Sequence, residues 1–150
     1  MAQSPPPPTQ NRVTDNRGLM TLPWLTYLRK EPAFTDRGDP ANADLSLTTV
    51  PAVVVDGAFH EWDLSGIVPP GITAVLIRVQ IFNAGASCAV LFRKKGHVNN
   101  WNLARVDAAI NAAGTADRWV ACDSDRKIEY LVGNVGAYGI LSFLICGWLR

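Results

Sequence analysis

Thr73-Ala-Val-Leu-Ile-Arg-Val-Gln-Ile-Phe82 alternates residue by residue: Val75, Ile77, Val79 and Ile81 fall on one face, Arg78 and Gln80 on the other. Successive side chains of a strand point to opposite sides, so a period of two predicts a β-strand with one buried face. Outward from it the same grammar repeats. Asn83-Ala-Gly85 is a turn signal, and Cys88, Val90 and Phe92 continue the inward set on a strand that stops at Lys95-Gly96. Upstream, Ser46 to Val55 is rich in Thr and Val and ends at Asp56-Gly57, with Phe59-His-Glu-Trp-Asp-Leu64 two residues later. The Asp-Gly pair predicts a hairpin joining the two runs, with Pro69-Pro70-Gly71 closing its far side. Downstream, Arg118 to Cys122 and Lys127 to Val132 read as strands flanking the polar turn 123–126.

The last run, Tyr138 to Leu149, is apolar on both faces: Ile140, Leu144 and Trp148 on one, Leu141, Phe143, Ile145 and Leu149 on the other. Such a strand needs cover on both sides. In a sandwich of this size the outer face of a sheet meets water, so the pattern predicts a neighbouring subunit over Leu141, Phe143, Ile145 and Leu149. Residues 102–113 stay open. Leu103, Val106 and Ile110 suit one helical face, whereas Asn99-Asn100 and Gly114 bracket an irregular extended crossing, and we read part of the stretch as extended. Short antiparallel strands with turns every few residues predict an all-β fold over residues 44–150, an antiparallel β-sandwich of jelly-roll type.

Residues 1–43 have another character. Pro5 to Pro8 can only be extended, a spacer of about 3 Å per residue. Beyond the polar stretch Asn11 to Gly18, Thr21 is a candidate N-cap with Pro23 in the first turn, and Leu22, Leu25 and Leu28 follow at spacing three beside Trp24. This predicts a short amphipathic helix over about 22–30. Isolated helices below about 12 residues are marginal in water, so it must dock, on its own domain or on a partner, through Leu19, Met20, Leu22, Trp24, Leu25 and Leu28. A proline-punctuated linker from Glu31 to Ala43, with Asp39-Pro40 as a turn, completes the predicted N-terminal arm.

Composition narrows the function. A 150-residue chain can bury roughly two-thirds of its unfolded surface in one domain. Fourteen Lys and Arg against thirteen Asp and Glu leave a net charge of +1, without the basic stripe of a nucleic-acid binder. The one compact basic run, Arg93-Lys94-Lys95, reads as a solvated strand edge that discourages pairing. Cys88, Cys122 and Cys146 are too few and too widely spaced for a disulfide framework or a metal knuckle and read as small buried hydrophobes. The start MAQSPPPPTQ lacks the plan of a secretory signal, and twelve residues with two glycines fall short of the roughly 20 of a membrane-spanning helix. A protein kept in the cytoplasm, with no membrane span, is the expectation.

Reactive groups are sparse. Glu61 and Asp63 project to the same side of one strand, but a glycosidase carboxylate pair flanks its bond from opposite sides, and the alternation that exposes them buries Trp62. Asp123-Ser-Asp125 begins like a calcium loop but lacks the glycine and glutamate that complete one, so an Asx-turn is predicted. No nucleophile elbow, phosphate-cradling loop or HExxH stands in the chain, and Gly133, Gly136 and Gly139 lack strand-to-helix context. Neither catalytic residues nor a cofactor or metal are therefore expected. Core packing accounts for most of the five tryptophans, and Trp101, in His97-Val-Asn-Asn-Trp-Asn102, reads as a candidate ligand-binding tip.

Two stretches carry a resemblance. Val13-Thr-Asp-Asn-Arg-Gly-Leu-Met-Thr-Leu-Pro-Trp-Leu-Thr-Tyr-Leu28 resembles the segment that opens many small virion proteins of tailed bacteriophages. The runs from Trp62 to Val79, Leu91 to Gly96 and Cys122 to Tyr130, with the closing Gly147-Trp148, are similar to a β-domain of phage tail-fibre and appendage proteins. The resemblance implies a non-enzymatic structural protein of the virion, assembled in the host cytoplasm. Its N-terminal segment would attach to other virion proteins, and its β-domain would form a homotrimer. A tail or appendage position stands ahead of head decoration, and a module recognising a host surface glycan is the alternative.

Overall fold

A computed structural model describes residues 34–133 and 138–150; the predicted arm and docking helix, with Leu19, Met20, Leu22, Trp24, Leu25 and Leu28, lie outside them. The described chain is all-β, with antiparallel pairing throughout. Nine strands run in order: β1 (Phe34–Asp36), β2 (Leu45–Ser46), β3 (Phe59–Asp63), β4 (Ala74–Asn83), β5 (Cys88–Lys94), β6 (Ala104–Ala108), β7 (Ala113–Ala121), β8 (Lys127–Val132) and β9 (Tyr138–Leu149). One sheet has the order β1-β9-β4-β7, with β2 pairing β9 beside β1; the other has the order β3-β8-β5-β6.

The alternation in β4 survives intact: Val75, Ile77, Val79 and Ile81 are buried, Arg78 and Gln80 exposed. Opposite them, Val90 and Phe92 on β5 and Ile128, Tyr130 and Val132 on β8 turn inward from the second sheet. Phe143 on β9 joins the two. Its ring meets Phe92 at 5.1 Å, Tyr130 at 5.7 Å and Trp62 at 6.0 Å between centroids, the first and second edge-on, so three strands of one sheet pack on one residue of the other.

Several expectations are corrected. Strand pairing reaches upstream of Asp44 among the described residues, since β1 pairs Phe34 with Leu149 and Asp36 with Gly147. Between β1 and β2 the chain loops away from β9, and Asp44 fills the gap: its carboxylate accepts the Ile145 N–H at 2.8 Å and binds the Arg37 guanidinium. The predicted strand from Ser46 to Val55 shrinks to Leu45–Ser46, and no Asp-Gly hairpin forms. Thr49 Oγ1 bonds back to the Ser46 carbonyl, Val54 N–H goes to the Tyr130 hydroxyl at 3.1 Å, and β3 pairs β8 instead. Asp56-Gly57 remains a tight turn, with Gly57 at φ +76° and the Asp56 carboxylate on Ala58 N–H. Asn83-Ala-Gly85 also joins no hairpin; it carries the chain from one sheet to the other. Residues 102–113 resolve as the extended β6 and a turn at 109–112, with Asn111 at φ +57°.

Candidate interaction surfaces

The outer face of the β3-β8-β5-β6 sheet is charged and internally paired. Glu61 lies between Lys95 and Lys127, the latter at 2.5 Å, and these ammonium groups hold its carboxyl below the usual range. Arg93 reaches Glu129 at 2.5 Å while its guanidinium stands 3.6 Å above the Phe59 ring. Arg105 binds Asp107 on the edge strand. The basic run is thus no strand edge: β5 is an interior strand, and Arg93 and Lys95 each have an acidic partner. Glu61 and Asp63 are exposed with Trp62 buried between them, as alternation requires; the Asp63 carboxylate accepts Ser65 N–H.

Beside β3 a cleft of about 480 Å³ is lined by His60, Trp62, Tyr130, Asp44 and Asp63 among others. Its ionisable groups are engaged, Asp44 with Arg37, Asp63 with Ser65, and His60 with Asp56 at 2.8 Å. The Asp123 turn is an Asx-turn: its Oδ1 accepts Asp125 N–H at 3.0 Å and Lys127 N–H at 2.6 Å, and Arg126 takes φ +65°. Among the described residues, no three His, Cys, Asp or Glu side chains stand together as metal ligands. Cys88 and Cys122 are buried and Cys146 half-buried; burial pushes the Cys122 thiol up to about 12.

The outer face of the other sheet differs in kind. Its centre is mixed: Arg78 grips Asp117 with two bonds of 2.9 Å, holding that carboxyl low, Ser142 donates to Gln80 at 3.3 Å, and the half-buried Leu144 pairs with Arg78 from β9. Both ends are apolar. At one, Ile140 is half-exposed beside Phe82; at the other, Phe34 and Trp119, each half-exposed, meet edge-on at 5.8 Å over Gly147 and Leu76.

The subunit contact expected on β9 is overturned for three of its four residues. Leu141, Phe143 and Ile145 are 2%, 0% and 0% exposed within the single chain, where the second sheet covers them. Leu149 is half-buried and pairs with Phe34 and Ala74. The second apolar side of β9, carrying Ile140 and Leu144, is the one that faces outward. Of the four described tryptophans only Trp62 is fully in the core. Trp148 is half-buried, Trp119 is 46% exposed, and Trp101 stands 93% exposed near Val98 at 88% on the β5–β6 loop. Sequence reasoning missed Phe34 and Trp119 as surface residues and Arg37 with Asp44 as a clamp, because none belongs to a periodic run long enough to signal a face.

No known protein family matches this chain, and no curated protein sequence matches it either. Among the described residues no helix is long and apolar enough to cross a membrane.

Proposed function

We propose that the chain is a non-enzymatic structural protein of a tailed-bacteriophage virion, assembled in the host cytoplasm, attached to the particle by residues 1–33 and presenting the β-domain as a tail or appendage component. The observation that carries the reading is the strand order. Two facing sheets of order β1/β2-β9-β4-β7 and β3-β8-β5-β6 follow the jelly-roll plan, in which each sheet interleaves early and late strands. Viral capsid domains use this architecture, as do lectins and cupins. The ionisable groups near the cleft, which are tied into ion pairs and turns, support a structural part over a catalytic one.

Antibody labelling of purified particles in the electron microscope tests it. The reading expects label on the particle, and expects a chain lacking residues 1–33 to fold yet fail to cosediment with particles. Particles free of label and of the protein overturn it.

A second reading, recognition of a host surface glycan, has one observation in its favour: Trp101 offers nearly its whole ring on a loop that also carries Asn99, Asn100 and Asn102, and sugars stack on aromatic faces while amides bond their hydroxyls. Glycan-array binding that disappears in Trp101→Ala supports it.

A further inference from the structure

An antiparallel strand with a neighbour on one side only turns the N–H and C=O of every second residue to its open edge. On β3 those residues are Phe59, Glu61 and Asp63. Leu64 N–H bonds the Arg126 carbonyl and Gly133 N–H bonds the Ala89 carbonyl, so even-numbered residues of β8 bond β3 and odd-numbered ones bond β5. Phe59, Glu61 and Asp63 stand opposite Leu131, Glu129 and Lys127, and their backbone groups face outward, where no described residue bonds them.

The other edges are short or guarded. β1 and β2 are three and two residues long. Across the sandwich Arg118 lies over the edges of both sheets, its guanidinium bonding the outward carbonyls of Asp117 on β7 and Arg105 on β6 at 2.8 Å each. A strand added to β6 or β7 would have to displace it. β3 has no such guard, because the Lys95 and Lys127 ammonium groups bond the Glu61 side chain and leave its backbone bare. The cleft of about 480 Å³ runs along this open edge. β3 forms one wall and the exposed Pro51, Ala52 and Val54 form the other, with Leu45, Trp62 and Ile67 completing an apolar lining. The bond from Val54 N–H to the Tyr130 hydroxyl fixes the far wall.

We propose that this edge is a docking site for an extended peptide segment of a partner protein, which adds to β3 as a further strand of the β3-β8-β5-β6 sheet. An extended main chain matches the two-residue repeat of the unpaired groups, and the pleat then dictates the chemistry of alternate side chains. Those opposite His60 and Trp62 point into the cleft and are apolar. Those opposite Glu61 and Asp63 lie on the outer face, where acidic residues are excluded. A lysine or arginine is favoured opposite Asp63, which stands in no ion pair among the described residues. A second copy fits badly, since β3 laid antiparallel on β3 over its full length sets Glu61 against its own counterpart. The inference does not rest on the virion reading, which antibody label tests separately.

Sorting a yeast-displayed library of random nine-residue peptides against the full chain tests the site, the selected peptides then being synthesised and titrated. Peptides with apolar residues at every second position, and no acidic residue between them, are expected. On binding, the amides of Phe59, Glu61 and Asp63 should exchange with solvent roughly tenfold or more slowly, while His60 and Trp62, already bonded to β8, change little. Glu61→Pro takes an N–H from the open edge and none from the ladder, a change that edge strands accept. It should fold, by circular dichroism and urea midpoint, and bind the peptides roughly tenfold or more weakly, about the worth of one hydrogen bond. Peptides N-methylated at the amides that face β3 make the same test on the wild-type chain and should lose as much. An empty selection, or selected peptides without the alternation, overturns the proposal. So do peptides that bind folded Glu61→Pro as tightly as wild type, or that keep their affinity after N-methylation. Slow exchange at Phe59, Glu61 and Asp63 in the unliganded chain overturns it too: at the single-chain mass of 16.3 kDa it assigns the edge to the chain itself, and at twice that mass to a second copy.

Discussion

The ring of Phe34 lies on Gly147 so closely that a methyl group at residue 147 would stand 2.5 Å from the ring's Cε2 and 2.5 Å from the Thr35 carbonyl oxygen. The glycine lets a three-residue strand seal the end of β9. Gly147→Ala should cost about 1–3 kcal/mol of stability, the usual penalty for overpacking. Because the backbone of Thr35 is also in the way, Phe34→Ala should rescue only part of it. A urea midpoint for Gly147→Ala equal to that of the wild type would show that β1 yields freely.

Phe143→Ala should be far more severe, at about 3–5 kcal/mol, since it empties the position where Trp62, Phe92 and Tyr130 converge. Domains of this size hold only about 5–15 kcal/mol in total. Loss of the cooperative near-ultraviolet transition at moderate temperature is the expected readout. A mutant of nearly wild-type stability but altered mass would restore the expectation that β9 contacts a subunit through this side chain.

Asp44→Ala removes the acceptor of Ile145 N–H and the partner of Arg37 together. Leaving such groups unpaired in a half-buried site costs about 1–3 kcal/mol. Hydrogen exchange should quicken first at Ile145 and Arg37, with the core amides of β4 and β5 little changed. Uniform acceleration across both sheets would mean that the clamp belongs to global rather than local stability.

Acid should weaken the fold from about pH 4 downward. Asp117, with Arg78 as its main cause, Asp107, with Arg105, and Asp63, through the Ser65 N–H, all have folded values below the unfolded one. A depressed carboxylate contributes stability above its unfolded value, and that contribution is lost as the pH falls through the folded value. Arg78→Ala should flatten the acid limb of a stability–pH curve, most visibly in low salt; an unchanged limb would exclude the pair as a contributor.

The native thiols should resist alkylation. Cys88 and Cys122 are buried, both with raised values, that of Cys122 about 12. At pH 8 neither should react until urea unfolds the chain, and Cys146, half-buried, should react first. Rapid labelling of Cys122 in the folded protein would contradict its placement.

How far the sequence could be read depended on the range of the interactions. The inward faces of β4 and β5 and the limits of β9 were legible because period-two alternation is a local consequence of burial. The Asx-turn at Asp123 was legible for the same reason. Pairing was not: β9 joins β4 across some sixty residues and β3 joins β8 in the other sheet, and nothing local marks a partner so distant. The Asp56-Gly57 hairpin failed because Val54 finds its acceptor in the side chain of Tyr130. On β9, apolar residues on both faces did not say which side met the second sheet. β1 escaped notice because three residues between prolines carry no period.

The pairing of Phe34 with Leu149 has a mechanical meaning. Chain attached before Phe34 and chain attached after Leu149 would leave the domain side by side at one end. Tension between those two points would open the β1–β9 hydrogen bonds in succession, like a zipper, instead of loading them all together in shear. The domain should therefore withstand force poorly along that line. A load carried through Phe34 alone, with the opposite end of the sheets as the second anchor, would pull β1 lengthwise along β9 and meet much greater resistance.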